Sequence, residues 1–247
     1  PKNIEDLKIL IQFATSNHIT LIPRAAGTSL AGQCVGEGLV VDISKYFTKL
    51  ISFDKTNKTV TVQPGIIRDE LNSYLKPHGL FFGPNTSTSN RCMIGGMVGN
   101  NSSGTTSIKY GVTRDKVLSL KTLLSDGSET LFEELTSTEF NDKKQEDSLE
   151  GIIYSTIFSE LSDTKNQLEI SKEFPNKNIH RRNNGYAIDE LINYHEFGGL
   201  DPTINLSKLM AGSEGTLAFT TEIKLQLDDL PPPKNIMVAA HFNSINE

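Results

Sequence analysis

Long apolar runs, basic clusters and paired cysteines are all missing from this 247-residue sequence. Its longest apolar stretches are six or seven residues, against the ~20 needed to cross a bilayer, and no signal-peptide pattern opens the chain. The expectation is a cytoplasmic protein with no transmembrane segment, with peripheral membrane attachment left open. No Lys/Arg run exceeds two residues and the formal charge is −6, so the clustered basic face of a nucleic-acid binder is lacking. Cys34 and Cys92 form no C-x-x-C pair, which argues against a zinc or disulfide framework; they are expected as reduced, partly buried thiols. The five histidines (18, 78, 180, 195 and 241) show no ligand spacing, so no metal site is expected. The Asn-x-Ser/Thr triplets at Asn57, Asn85, Asn101 and Asn205 read as coincidence in a chain without export signals. There is no internal repeat.

What is present suits a mixed α/β protein: 36% hydrophobic residues, 22% charged and 19 glycines. The length allows one large domain or two small ones. Residues 3–16 predict a helix, with Asn3 as cap, Asp6 in its first turn and Ile4, Leu7, Leu10, Ile11 and Ala14 on one face. Strands are predicted at 19–23, 38–44 and 58–64, the last with Val60 and Val62 on one face, and a helix from Ile66 to Lys76 with Ile67, Leu71, Tyr74 and Leu75 at helical spacing. A short helix is expected at Met93–Val98, and a hairpin at 117–132 turning at Asp126-Gly127. Residues 141–150 read as a charged surface connection and Ile152–Leu161 as a helix. Residues 216–227 form the clearest strand, with Leu217, Phe219, Thr221, Ile223, Leu225 and Leu227 on one face. After "DDLPPP", the alternation in "KNIMVAAHF" predicts one more strand.

Three stretches of small residues carry the chemistry. "IPRAAGTSLAG" (22–32) offers backbone amides unblocked by bulky side chains, two hydroxyls and the charge of Arg24, as an anion nest requires. It matches neither the Walker nor the dinucleotide fingerprint, and alone it is as much a plain turn as a phosphate loop. "IGGMVGNNSSG" (94–104) and "AGSEGTL" (211–217) add two further loops of the same character. Three such loops from distant parts of one chain suggest a long ligand in a shared crevice, for which a dinucleotide is one fit.

The motifs "PRAAGTSLAGQ", "GPNTSTSNRCMIGGMVGNNSSG", "YGVTRDKVLSLKTLLSDGS", "RRNNGYAIDEL" and "GSEGTLAFTTEIKLQL" occur in that order. Together they resemble the FAD-binding domain of flavin dehydrogenases of the vanillyl-alcohol-oxidase or p-cresol-methylhydroxylase (PCMH) type. The branch it resembles contains glycolate oxidase and D-lactate dehydrogenase, closest to large members fused to an iron–sulfur oxidoreductase. The resemblance implies an α+β, two-subdomain PCMH-type fold, with a small α/β N-terminal part and a larger, mainly antiparallel sheet flanked by helices. It implies that Arg24, Ala25, Ala26, Gly27, Thr28 and Ser29 hold the FAD diphosphate. Gly95, Gly96, Asn100, Asn101, Ser102 and Ser103 would wrap the diphosphate and ribityl chain, with Gly111 to Val117 along the adenine. Glu214, Gly215, Thr216 and Leu217 would lie near the nucleotide and flavin. Some relatives attach flavin through a His in the first loop; this chain has none there, so noncovalent FAD is expected. Ser103 stands where many relatives carry Cys. The segment 180–191 resembles one near the flavin, where Arg181 or Arg182 would meet a substrate carboxylate; a solvated basic turn is the plainer alternative, and Tyr186 is expected to pack.

The implied reaction takes a proton and a hydride from a 2-hydroxy acid, the hydride to flavin N5, and passes electrons to a non-NAD acceptor, an iron–sulfur partner being one candidate. The base for such a step is usually His, and the binding loops contain none, so no catalytic residue is assigned. The expected organisation is an FAD-binding domain over 1–230 (about 1–64 and 65–230 as subdomains), with 231–247 beginning a truncated cap that supplies the substrate side. The chain is thus expected to be an inactive fragment of a longer enzyme. Two alternatives stay open: a noncatalytic flavin-binding electron-transfer subunit, and a domain for another nucleotide.

Overall fold

A computed structural model describes residues 1–176, 178–179, 181–183, 185–234, 236, 238–242 and 244. Helix α1 (Ile4–Asn17) begins where Asn3 accepts a 2.9 Å hydrogen bond from the Asp6 N–H, and it ends at His18, in the left-handed region. Its Leu7, Ile11 and Ala14 are buried, the i, i+4, i+7 stripe of an amphipathic helix. Strands β1 (Leu21–Arg24) and β2 (Leu39–Asp42) pair in parallel, Leu21 opposite Leu39. A small core gathers Leu7, Ile11, Val41, Ile43 and Phe47 against Leu123 and Phe219 of the larger sheet.

Next come β3 (Leu50–Asp54) and β4 (Thr59–Val62), helix α2 (Arg68–Leu75), β5 (Leu80–Phe81), then α3 (Ile94–Gly99), α4 (Ser107–Tyr110) and α5 (Thr113–Lys116). Strands β6 (Val117–Leu123), β7 (Glu129–Phe132) and β8 (Glu134–Leu135) lead to helices α6 (Ser137–Lys144), α7 (Leu149–Ser162) and α8 (Thr164–Glu173). The chain closes through β9 (Ile204–Asn205), α9 (Ser207–Met210), β10 (Phe219–Gln226) and β11 (Asp228–Asp229). The main sheet runs β3-β4-β10-β6-β7, antiparallel throughout, with Ile223 opposite both Val62 and Leu120. Because β3 and β4 pair into it, the first 64 residues contribute two strands to the large sheet as well as the small parallel pair. The helical layer buries Phe140, Tyr154, Phe197 and Tyr194 in the same core, with Phe140 edge-on to Tyr154 at 5.7 Å and to Tyr194 at 5.6 Å. The result is the α+β architecture expected, a small α/β part beside a mainly antiparallel sheet flanked by helices.

Several expectations need correction. The charged connection at 141–150 is half helix: α6 starts at a Thr136–Glu139 capping box and buries only Phe140. Leu217, placed on the inward face of the last long strand, is 39% exposed because that strand starts two residues later, at Phe219. Tyr74, expected on the buried stripe of α2, is half-exposed and packs edge-on to Phe53. The described residues of 231–242 form no strand; Asn235 and Met237 of that stretch lie outside the described residues.

Candidate active-site crevice

The first loop leaves β1 through Arg24, and Gly27 lets it turn. Gly27 has φ 64°, and a Cβ there would stand 2.9 Å from Arg24 Nη2, so the guanidinium lies against the bare glycine backbone. None of the backbone N–H groups of Ala25, Ala26, Gly27, Thr28 and Ser29 has an acceptor among the described residues. Five consecutive unpaired donors beside a guanidinium make a site for negative charge. Arg24 also acts on Asp42: burial raises that carboxyl, but hydrogen bonds from Ser44 and the Arg24 charge outweigh it and hold it below its ordinary value.

Helix α3 forms the opposite wall. Its Gly95 donates to Pro64 O at 2.7 Å, and a Cβ there would sit 2.4 Å from Pro64 Cβ, so only glycine lets the helix approach this closely. A Cβ on Gly96 would meet nothing nearer than Ala25 Cβ, at 3.6 Å, an ordinary contact distance, so Gly96 stands directly opposite the first loop. The third loop is tied to the end of α3, with Gly212 N–H donating to Val98 O (2.9 Å) and Glu214 N–H to Gly99 O (2.8 Å). Arg114, buried, fixes that loop by donating from Nη2 to Ala211 O (2.7 Å) and from Nε to Lys208 O (3.0 Å). Lys208 in turn donates to Arg114 O (3.0 Å) and Val117 O (2.9 Å). Burial lowers the pKa of both cations, and each is solvated by backbone carbonyls.

Between these walls lies a crevice of about 490 Å³. Twelve of the residues expected at the cofactor line it: Arg24 to Ser29 from the first loop, Gly95, Gly96, Asn100 and Ser102 from α3 and its exit, and Glu214 and Gly215 from the third loop. Six do not. Asn101, buried, accepts from Arg114 N–H at 2.8 Å and shapes the loop from behind. Ser103 Oγ takes a hydrogen bond from Arg181 Nε (3.2 Å), Gly111 ends α4, Val117 is buried at the start of β6, and Leu217 faces solvent. Thr216 Oγ1 lies 2.7 Å from Tyr186 OH. The sequence reading missed Thr86, Ser87 and Thr88, Gln33, and both cysteines, all of which line the crevice. Among the described residues the only charged lining residues are Arg24 and Glu214. Arg182 is taken up by Asp189 and Glu190, whereas Arg181 is exposed beside Ser103. His180 lies outside the described residues, and no group of three or more potential metal ligands occurs among the described ones.

A family model described as FAD binding domain matches residues 1–131. The chain belongs to the FAD binding domain family. Among relatives of this FAD-binding chain, D-2-hydroxyglutarate dehydrogenase of Pseudomonas putida is 37% identical over 232 residues, covering 92% of this chain and 21% of the relative. Glycolate oxidase subunit GlcD of Bacillus subtilis is 34% identical over 128 residues, 51% of this chain and 27% of its own. Among solved structures, an alkyldihydroxyacetonephosphate synthase superposes with a TM-score of 0.58 at 21% identity, over 94% of this chain and 33% of that one. The chain therefore spans about a quarter of the length of those two relatives. The lining fits FAD in its chemistry: the amides of 25–29, unpaired among the described residues, and the small residues opposite them suit an anionic group, and Thr86–Thr88 and Asn100 bring polar side chains to the crevice. Among the described residues, no helix is long and apolar enough to cross a membrane.

Proposed function

We propose that the crevice holds FAD noncovalently, with the diphosphate on the amides of Ala25–Ser29 and Gly96 and the charge of Arg24 beside it. The observation that carries this reading is the row of five N–H groups, unpaired among the described residues, in a loop that lines the crevice opposite two glycines of α3. When bound, FAD supplies a two-electron acceptor at N5. This chain's residues bind and orient it: α3 forms the floor, Arg114 and Lys208 fix the third loop, and Arg24 neutralises phosphate charge. No histidine lines the crevice among the described residues, which supports noncovalent attachment; on this reading the proton-accepting base comes from another part of the whole protein.

In that whole protein the domain serves oxidation of a 2-hydroxy acid, with electrons leaving to an acceptor other than NAD, an iron–sulfur centre among the candidates. The names of the relatives support this class of substrate. On the same reading residues 1–230 form the cofactor domain, 231 onward begins a cap that supplies the substrate side, and the chain alone turns over no substrate. Purified protein mixed with FAD and desalted should retain the oxidised-flavin band near roughly 450 nm. Protein that stays colourless while retaining ATP or NAD overturns the reading.

A further inference from the structure

The first loop is tied to the rest of the protein very sparingly. Between Ala25 and Gly36 its one internal backbone hydrogen bond among the described residues is Val35 N–H to Gly32 O (2.9 Å). Leu30 is fully exposed and Val35 is exposed too. Among the described residues a single hydrogen bond crosses from this loop to the facing wall: Gln33 Nε2 donates to Glu214 Oε1 at 3.2 Å, while Gln33 also meets Ser29 Oγ. Both Gln33 and Glu214 line the crevice, so the bond spans its mouth.

Glu214 is an unexpected residue for its place. Its φ of 55° lies in the left-handed region, where a residue with a Cβ is held at a cost, and glycines stand on either side at 212 and 215. It also puts a carboxylate into a crevice built for an anion. Its one side-chain hydrogen bond among the described residues is to Gln33. A strained, charged residue whose one side-chain hydrogen bond among the described residues reaches the opposite loop is placed for that bond.

We propose that Gln33 and Glu214 form a latch that closes the loop 25–36 over the crevice and sets how fast the bound ligand leaves. The consequence for FAD rests on the cofactor reading above; the latch itself does not. Opening breaks this one hydrogen bond among the described residues and the packing of Ala25 on the small core, and turns the loop about its two ends, where Arg24 O accepts from Ile43 N–H and Thr20 O accepts from Leu39 N–H.

The test uses Gln33→Ala, Glu214→Ala, the double variant and Glu214→Gln, whose side-chain oxygen still accepts from Gln33. Two readouts are taken: the rate of FAD release into excess apoprotein, and, without FAD, the rate at which half-buried Cys34, next to Gln33 and facing the crevice, is alkylated by N-ethylmaleimide, followed by peptide mass spectrometry. Each alanine variant should raise both rates about fivefold, as for one hydrogen bond. The double variant should match the single ones, and Glu214→Gln should leave the Cys34 alkylation rate, measured without FAD, near wild type. Effects that multiply in the double variant, or a loss in Glu214→Gln as large as in Glu214→Ala, would show direct ligand contact and overturn the latch. Unchanged rates in both alanine variants also overturn it, as does faster alkylation with unchanged FAD release. If wild type retains no FAD, the cofactor reading fails while the Cys34 rates still decide the latch.

Discussion

The wall built from α3 and residues 211–216 is pinned by buried charge, whereas the wall built from residues 25–36 hangs from the ends of a parallel strand pair. In the first, Arg114 and Lys208 make five hydrogen bonds to four carbonyls, and the loop amides of Gly212 and Glu214 bond the end of α3. In the second, five consecutive amides bond nothing among the described residues, and one exposed side-chain pair makes the crossing. Binding needs both. A fixed floor presets the shape of the site, and free donors on a movable rim leave hydrogen-bonding capacity for the ligand. Polar groups satisfied internally build the site; polar groups left unsatisfied are the site.

The contrast breaks most severely at Arg114. Arg114→Met leaves the Ala211 and Lys208 carbonyls buried without their donor and should cost about 3 kcal/mol of stability, read as a lower urea midpoint, together with loss of FAD retention. A change below about 0.5 kcal/mol would show that the third loop is held by its backbone bonds alone. Within α3 the two walls can be separated at neighbouring glycines. Gly95→Ala drives a methyl to 2.4 Å from Pro64 Cβ and should destabilise by about 2 kcal/mol through overpacking. Gly96→Ala meets only a 3.6 Å contact and should raise stability by up to about 1 kcal/mol as a better helix former. The same methyl enters the crevice and keeps a ligand off the backbone, so FAD should bind about tenfold more weakly in a fluorescence titration. Opposite signs in stability and affinity for Gly96→Ala are the decisive outcome; a parallel loss of both would place Gly96 in the scaffold.

How much of this was legible in the sequence depended on where each contact finds its partner. Helix α1 was readable because Asn3, Asp6 and the Leu7–Ile11–Ala14 stripe all lie within one local pattern, and β10 because its alternation is complete from Phe219 to Leu225. Strand β3 was not, since as an edge strand it leaves Leu50 and Phe53 only partly buried and shows no clean alternation. Helix α6 carried its signal in Thr136 and Glu139, but with one buried residue in eight it shows no apolar face. At the site, small-residue runs marked all three loops, because close backbone approach excludes large side chains. Thr86–Thr88 stood inside a recognised motif yet carried no chemistry until the fold turned them to the crevice. Arg114 stood in the run expected along the adenine, but its bracing role was invisible for a different reason: it is satisfied by carbonyls 94 and 97 residues away, and no side-chain pattern records a backbone acceptor.

The smallest expected effect concerns how the small N-terminal part is docked on the sheet. Glu129 on β7 lies 2.8 Å from Lys8 of α1 and 3.1 Å from Lys121 of β6. Hydrogen bonds from Lys8 and then Lys121 outweigh burial and hold the Glu129 carboxyl below its ordinary 4.5. A carboxyl lowered in the folded state stabilises fully above its unfolded value and loses that contribution as pH falls through the lower folded value. Glu129→Gln should therefore lower the urea midpoint slightly at pH ~6, and the gap to wild type should close as pH falls below the ordinary 4.5 through the lower folded value. Added salt should narrow it as well, since all three side chains are partly exposed. A gap that does not change with pH would mean that α1 is docked by Leu7 and Ile11 against Leu123 and Phe219 alone. The first loop's anchor at β1 would then rest on apolar packing, and the rim of the crevice would move with temperature and not with acid.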